Sequence, residues 1–121
     1  MYRVNMIKIF LAIMLCVLLR INISNADTFS VDGANGWGFN MNGWPNGKIF
    51  DVGDVVEFKY KIGMHNMVIV NKLGFDSCNA TGGEVLSSGD DQVLVPKGTT
   101  YFICSIGDHC ANGVKVAIIG K

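Results

Sequence analysis

Three side chains that bind transition metals lie in the second half of this 121-residue chain. Cys104 ends an apolar segment that begins at Tyr101, and His109 follows after a short loop. His65 is the other histidine of the sequence. One thiolate and two imidazoles around one ion are the equatorial donors of a blue-copper site, which transfers single electrons. The sequence therefore predicts a copper site formed by His65, Cys104 and His109.

Short strands separated by turns are predicted to carry these donors. Apolar or alternating segments lie at 55–61, 66–71, 92–95, 99–103 and 114–119. Glycine, proline and asparagine separate them, as at 96–98, which indicates a sandwich or barrel. The stretch 73–88 contains three glycines and no helical period, so we predict irregular structure there, with a short helix as the alternative. The fold class predicted is all-β, with no strong helix.

The first 26 residues have the pattern of a secretory signal peptide. Arg3 and Lys8 precede an apolar run over 9–19, and small residues occupy 24–26. We predict cleavage after Ala26, a single domain over 27–121, and a secreted protein located in the apoplast or cell wall. An uncleaved membrane anchor is the alternative, but the apolar run is short for a transmembrane span.

Removal of that segment changes the charge and the cysteine count. Residues 27–121 contain seven lysines and ten acidic residues, a net charge of −3 with neutral histidines. These residues contain no basic patch of the kind that would indicate a nucleic-acid partner. Cys78, Cys104 and Cys110 remain, and an odd number in a secreted chain leaves one thiol unpaired. A buried free thiol is the alternative interpretation of Cys104.

Several motifs carry a family resemblance that spans essentially all of 27–121. They are GWGFN at 36–40, WPNGK at 44–48, MHN at 64–66, FDSCN at 75–79, LVPKG at 94–98, YFIC at 101–104 and HCANG at 109–113. The sequence resembles the phytocyanins, secreted plant blue-copper proteins, and within them the plantacyanins. The resemblance implies a cupredoxin-like, two-sheet Greek-key β-sandwich with one type 1 copper ion. It also implies His65, Cys104 and His109 as ligands and a disulfide between Cys78 and Cys110.

The chain departs from the plantacyanin pattern at the axial ligand. Where that branch has a methionine, this sequence has Val114, which offers no donor atom. Met64 and Met67 flank His65 in sequence but are not at the axial position, and we expect both in packing roles. Two imidazoles and a thiolate still hold copper, because the axial bond in such sites is long and weak. The acidic charge also differs from the basic members that name the branch.

Electron transfer is the function that this ligand set predicts. The alternative is an extracellular cell-wall or signalling interaction protein of the plantacyanin type, in which copper is structural. A catalytic zinc site is a further interpretation of one cysteine and two histidines, with Asp108 or Glu57 as the base. We do not expect an enzyme, because multicopper oxidases need more histidines than this chain has. We expect a monomer without a stable membrane anchor, whose redox partner is a small molecule or a protein.

Asn79 begins the sequence Asn-Ala-Thr, an acceptor site for N-glycosylation in a secreted chain. We predict a glycan there. The alternative is an unused site, because Cys78 holds Asn79 too tightly for access.

Overall fold

Two sheets form the fold in a computed structural model that describes residues 26–121. Within this range one sheet has the strand order β1-β2-β5 and the other β4-β3-β6-β7. The elements are β1 (Thr28–Ser30), β2 (Val55–Lys59), β3 (Met67–Val70), α1 (Lys72–Ser77), β4 (Glu84–Leu86), β5 (Asp90–Leu94), β6 (Gly98–Ile103) and β7 (Lys115–Gly120).

Strand direction and connections are those of the predicted Greek-key β-sandwich. β1 runs parallel to β2, and the other paired strands are antiparallel. The chain passes from one sheet to the other after β2, after β4 and after β5. The predicted all-β, cupredoxin-like fold class is thus confirmed. The predicted signal peptide lies outside the described residues apart from Ala26. Among residues 26–121, every helix is too short or too polar to cross a bilayer.

Alternation along the strands fills the space between the sheets. Val56 and Phe58 of β2 are buried and point the same way, while Glu57 between them does not join the core. They meet Phe102 of β6, whose ring centroid lies 4.7 Å from that of Phe58. Cys104 is two residues beyond Phe102 and belongs to the same buried cluster. The period of two therefore directs the Cys104 thiol into the interior.

The four-stranded sheet is covered on both faces. Val68 and Ile103 are buried in a second cluster, with Phe75 of α1 packed against it. This cover explains why β3 reads as a continuous apolar run rather than as an alternating strand. Residues 67 and 102 face the central core, and residues 68 and 103 face the helix.

The stretch 73–88, predicted as irregular with a short helix as the alternative, contains most of helix α1 and the unpredicted strand β4. Helix α1 begins after Asn71, whose side-chain oxygen accepts a hydrogen bond of 2.8 Å from the Gly74 amide. Six residues are too few to show a helical period, so only the cap was readable in the sequence. Strand β4 pairs with β3 at the sheet edge and is largely exposed, which leaves it without the apolar pattern of the other strands.

Candidate metal centre

The structure brings His65, Cys104 and His109 to one point. His65 ends a turn just before β3, Cys104 follows β6, and His109 lies in the loop between β6 and β7. The Nδ1 atoms of the two histidines are 3.1 Å apart. The Cys104 Sγ atom is 3.7 Å from Nδ1 of His65 and 3.6 Å from Nδ1 of His109. The three residues form a candidate metal cluster within the described part of the chain.

The spacing of the three donor atoms fits a single transition-metal ion. The point equidistant from the three atoms lies about 2 Å from each, a typical metal–imidazole bond length. With the ring protons on Nε2, both imidazoles direct an Nδ1 lone pair at the same point as the sulfur, and a cation there would accept all three. A soft thiolate with two imidazoles is a donor set that suits copper. The residues therefore fit copper in both geometry and chemistry.

Burial differs between the two histidines. His65 is 4% exposed, whereas His109 is half-buried. Burial, followed by the charge of His109, lowers the pKa of His65 below its ordinary value. The neutral imidazole is the form that binds a metal, so this environment prepares His65 for coordination. Coordination through Nδ1 places the ring proton on Nε2.

Asn66 ties the His65 segment to the Cys104 segment. Its side-chain amide donates to Oγ of Ser105 at 2.8 Å, and its side-chain oxygen accepts from the Ser105 backbone amide at 2.8 Å. The Asn66 carbonyl accepts from Nε1 of the buried Trp37 at 2.8 Å. Asn66 follows His65 and Ser105 follows Cys104, so the bonds between Asn66 and Ser105 fix the distance between the two ligands.

The loop that carries His109 is held by its own backbone. The Val114 amide donates to the His109 carbonyl at 3.0 Å, and the Cys104 amide donates to the Val114 carbonyl at 2.9 Å. Gly113 ends the loop at a φ of +94°, and a Cβ there would lie 2.8 Å from the Asn40 amide nitrogen. A side chain at this position would therefore both strain the turn and clash.

A disulfide fixes the same loop to helix α1. Cys78, at the C-terminal end of α1, is bonded to Cys110, the residue after His109. Cys104 is the free cysteine of residues 26–121 and is buried. The disulfide implied by the family resemblance is therefore present, and the thiol at the metal centre is the one left over.

Phe39 covers the histidine pair from the solvent side. Its ring centroid lies 5.4 Å from that of His65 and 5.1 Å from that of His109, edge to face in both cases. Phe39 is nevertheless 47% exposed. An aromatic ring therefore stands between the centre and the surface, in contact with both imidazoles.

The other predicted site residues have mixed outcomes. Val114 is fully buried in the same core cluster as Cys104. Met67 is also fully buried, as expected, but Met64 is 52% exposed, so the packing role predicted for it was wrong. Asp108 and Glu57 do not belong to the metal cluster found within residues 26–121.

The sequence alone predicted no role at the metal centre for Asn66, Phe39 or Trp37. All three lie in the motifs that carry the family resemblance. The motif MHN places Asn66 directly after a ligand, and GWGFN places Trp37 and Phe39 two residues apart. Their contacts with the centre come from separate parts of the chain. The adjacency of Asn66 to His65 was the one local signal.

Comparison with known proteins places this architecture in a family. The family model described as "Plastocyanin-like domain" matches residues 34–114. The basic blue protein of Cucumis sativus is 47% identical over 91 residues, which are 74% of this chain and 95% of that protein. The chemocyanin of Lilium longiflorum is 39% identical over 107 residues, 88% of this chain and 85% of that protein.

This chain belongs to the phytocyanin family.

Solved structures agree with this assignment. Cucumber basic protein, described as a blue copper protein, superposes with a TM-score of 0.76 at 45% identity, covering 78% of this phytocyanin and 99% of that chain. Spinach plantacyanin gives a TM-score of 0.69 at 45% identity over the same shares of the two chains. With these relatives, the cluster of His65, Cys104 and His109 is a centre able to bind one copper ion.

Proposed function

We propose that this phytocyanin is a secreted type 1 copper protein that transfers single electrons. Nδ1 of His65, Sγ of Cys104 and Nδ1 of His109 would hold the copper ion. The observation that carries the proposal is the convergence of these three atoms, 3.1 to 3.7 Å apart, at a buried point. When bound, copper supplies a one-electron redox couple, Cu(II)/Cu(I).

The protein contributes a donor arrangement that both oxidation states share. The Asn66–Ser105 bridge and the backbone bonds between Val114 and the two ligands Cys104 and His109 restrict movement of the donors. Because second-shell contacts of this kind orient metal ligands, little rearrangement accompanies a change of charge at the centre. A small rearrangement favours rapid electron transfer in both directions.

Val114 stands where the plantacyanin pattern has its axial methionine, and in this proposal its side chain would offer copper no donor atom. Its aliphatic side chain is fully buried beside Cys104. It supplies no electron density to the metal and keeps water away, so the less charged Cu(I) state is favoured. We therefore assign the centre a high reduction potential for its class.

His109 is the route by which electrons leave. It is the half-buried ligand, and it borders an open groove of about 480 Å³ lined also by Ile62, Met64 and Ile106. Ile62 is 70% exposed and Met64 52% exposed. The groove is also lined by Lys61, so a partly apolar surface lies next to a half-buried ligand, which suits brief docking of a small-molecule or protein redox partner.

Secretion and glycosylation complete the proposal. A structural disulfide is stable in an oxidising compartment, in agreement with a signal peptide over residues 1–26. Asn79 is exposed although it follows the disulfide-bonded Cys78. Its side-chain oxygen accepts from the Thr81 amide at 2.9 Å, which leaves the amide nitrogen directed away from that turn. We assign Asn79 as a glycosylated position.

Copper titration of the purified protein, followed by absorption and by electron self-exchange, tests the function. We expect a strong thiolate-to-copper band in the visible range at one copper per chain, and rapid exchange between oxidised and reduced protein. A blue protein with very slow self-exchange would favour the interaction protein with structural copper. Failure to develop the band would contradict the copper assignment itself.

A further inference from the structure

A second cavity lies outside the metal cluster. It has a volume of about 300 Å³ and is enclosed by the segment 41–50, by Phe75 of α1 and by strand β7. Met41, Phe50 and Val116 are buried side chains that form its apolar walls, and Ile119 is 55% exposed at its edge. No residue of the metal cluster lines it.

Two lysine side chains line this cavity, and no acidic residue does. Lys48 Nζ lies 5.1 Å from the centroid of the Trp44 ring. Lys115 Nζ lies 4.4 Å from the centroid of the Phe75 ring and donates to the Phe75 carbonyl at 2.9 Å. Cation–π contacts of this kind restrict the ammonium groups without neutralising them.

Both ammonium groups keep donors to spare. The ion pairs found within residues 26–121 use other lysines, Lys59 with Glu57 and Lys72 with Asp76. A lysine ammonium has three N–H donors, and Lys115 uses one of them on the Phe75 carbonyl. An otherwise acidic domain therefore has an apolar cavity with two unneutralised positive charges.

We propose that this cavity binds a small aromatic monocarboxylate. A single ring matches the apolar walls, and a carboxylate matches the ammonium groups through charge-assisted hydrogen bonds. An inorganic anion would leave the walls without a partner, and a neutral ring would leave the charges without one. The volume lies at the lower limit of small-molecule sites, about 300 Å³, which favours one ring over a larger ligand.

Calorimetric titration of the copper-loaded protein with benzoate tests the proposal. We expect saturable binding of one benzoate per chain in the millimolar range, because a small ligand in a partly open cavity falls well short of the best affinity per atom. Acetate, which has no ring, and benzyl alcohol, which has no charge, should each bind at least about tenfold more weakly, since each loses one of the two interactions. Absence of saturable benzoate binding, or equal binding of acetate, would overturn the proposal.

Variants locate the site. Lys48→Met and Lys115→Met should each weaken benzoate binding about tenfold, whereas Lys97→Met, an exposed lysine outside the cavity, should leave it unchanged. Ile119→Glu should abolish binding by adding a like charge at the rim, and Ile119→Gln should retain it. If Lys115→Met does not fold because the Phe75 carbonyl loses its donor, the Lys48 and Ile119 variants decide. Equal losses in Lys97→Met and Lys48→Met would show diffuse charge attraction and contradict the site.

Discussion

The two histidines of the metal centre are positioned by loops of different construction. The His65 segment has a single tight turn, from the Met64 amide to the Lys61 carbonyl at 3.0 Å, and depends on Asn66 for its link to the other ligands. The His109 loop is held by several backbone hydrogen bonds of its own and by a disulfide. One loop is positioned by distant residues and the other largely by itself.

This difference coincides with a difference in exposure. His65 is buried, and His109 is half-buried beside an open groove. A buried ligand can be fixed from all sides by neighbouring elements, whereas a ligand at the surface has fewer neighbours and needs a loop that is rigid by itself. We infer that His65 is the rigidly held ligand of the centre and that His109 is the ligand through which electrons pass to the surface.

Replacement of the donor that both loops share should have the largest effect. Cys104→Ser should abolish the visible copper band, because that band arises from the copper–thiolate bond. Absorption spectra of the copper-loaded variant check this. The matched control is Cys78→Ser with Cys110→Ser, which should keep the band wherever the protein remains folded. A blue Cys104→Ser protein would show that the sulfur donor lies elsewhere.

Substitution of each histidine by glycine should separate the two loops. In His109→Gly, added imidazole should restore the visible band, because the vacated position opens to the groove. In His65→Gly, restoration should be much weaker, because the position is buried and does not border the groove. Absorption titrations with imidazole measure both. Equal restoration of the visible band in the two variants would contradict this difference between a buried ligand and a ligand at the groove.

Removal of the disulfide should measure how far the His109 loop is self-supporting. The bond joins residues 32 apart, and by the chain-entropy model its loss costs about 3–4 kcal/mol of unfolding free energy. Cys78→Ala with Cys110→Ala should show that loss in urea unfolding. The copper band of the folded variant should persist, because the backbone bonds of the loop remain. Disappearance of the band while the fold persists would show that the disulfide, not the backbone, positions His109.

Asn66→Ala and Asn112→Ala form a matched pair, one in each loop. Asn66→Ala loses two side-chain hydrogen bonds between segments and should cost about 1–3 kcal/mol while altering the copper spectrum. Asn112→Ala loses one bond within its loop, to the Asp108 carbonyl, and should cost about 1 kcal/mol or less with an unchanged spectrum. Urea unfolding and absorption check both. Equal effects of the two variants on stability and spectrum would show that the two loops are held by the same means.

Val114→Met should have a small effect on stability and a specific effect on the reduction potential. The change costs about 1 kcal/mol of packing, and a thioether donor should lower the reduction potential. Val114→Gln, with an oxygen donor, should lower it further. Voltammetry on the three proteins compares them. A potential that does not fall in the order valine, methionine, glutamine would show that the axial position is filled by another group.

The sequence predicted the donors better than it predicted what holds them. Cysteine and histidine carry their chemistry in their residue types, and the period of two around Phe102 already directs Cys104 inward. The bridge from Asn66 to Ser105 joins residues 39 apart, and Phe39 reaches two histidines that are distant from it in sequence. Such contacts depend on how the sheets pack, which local pattern does not contain. Strand β4 was missed because it is an exposed edge, and helix α1 was open only as an alternative because six residues are too few to show a period.

The position of the disulfide beside a ligand has a consequence for how the protein matures. The three thiols of residues 26–121 allow three pairings among themselves, and Cys104 lies six residues from Cys110 whereas Cys78 lies 32 away. In an unfolded chain the shorter loop closes more readily, by roughly 1–2 kcal/mol, so early oxidation favours the pair that destroys the copper site. Pairing of β6 with β7 buries Cys104 in the core and removes it from this competition. Maturation to a functional protein therefore requires the sheet to form before the thiols are oxidised.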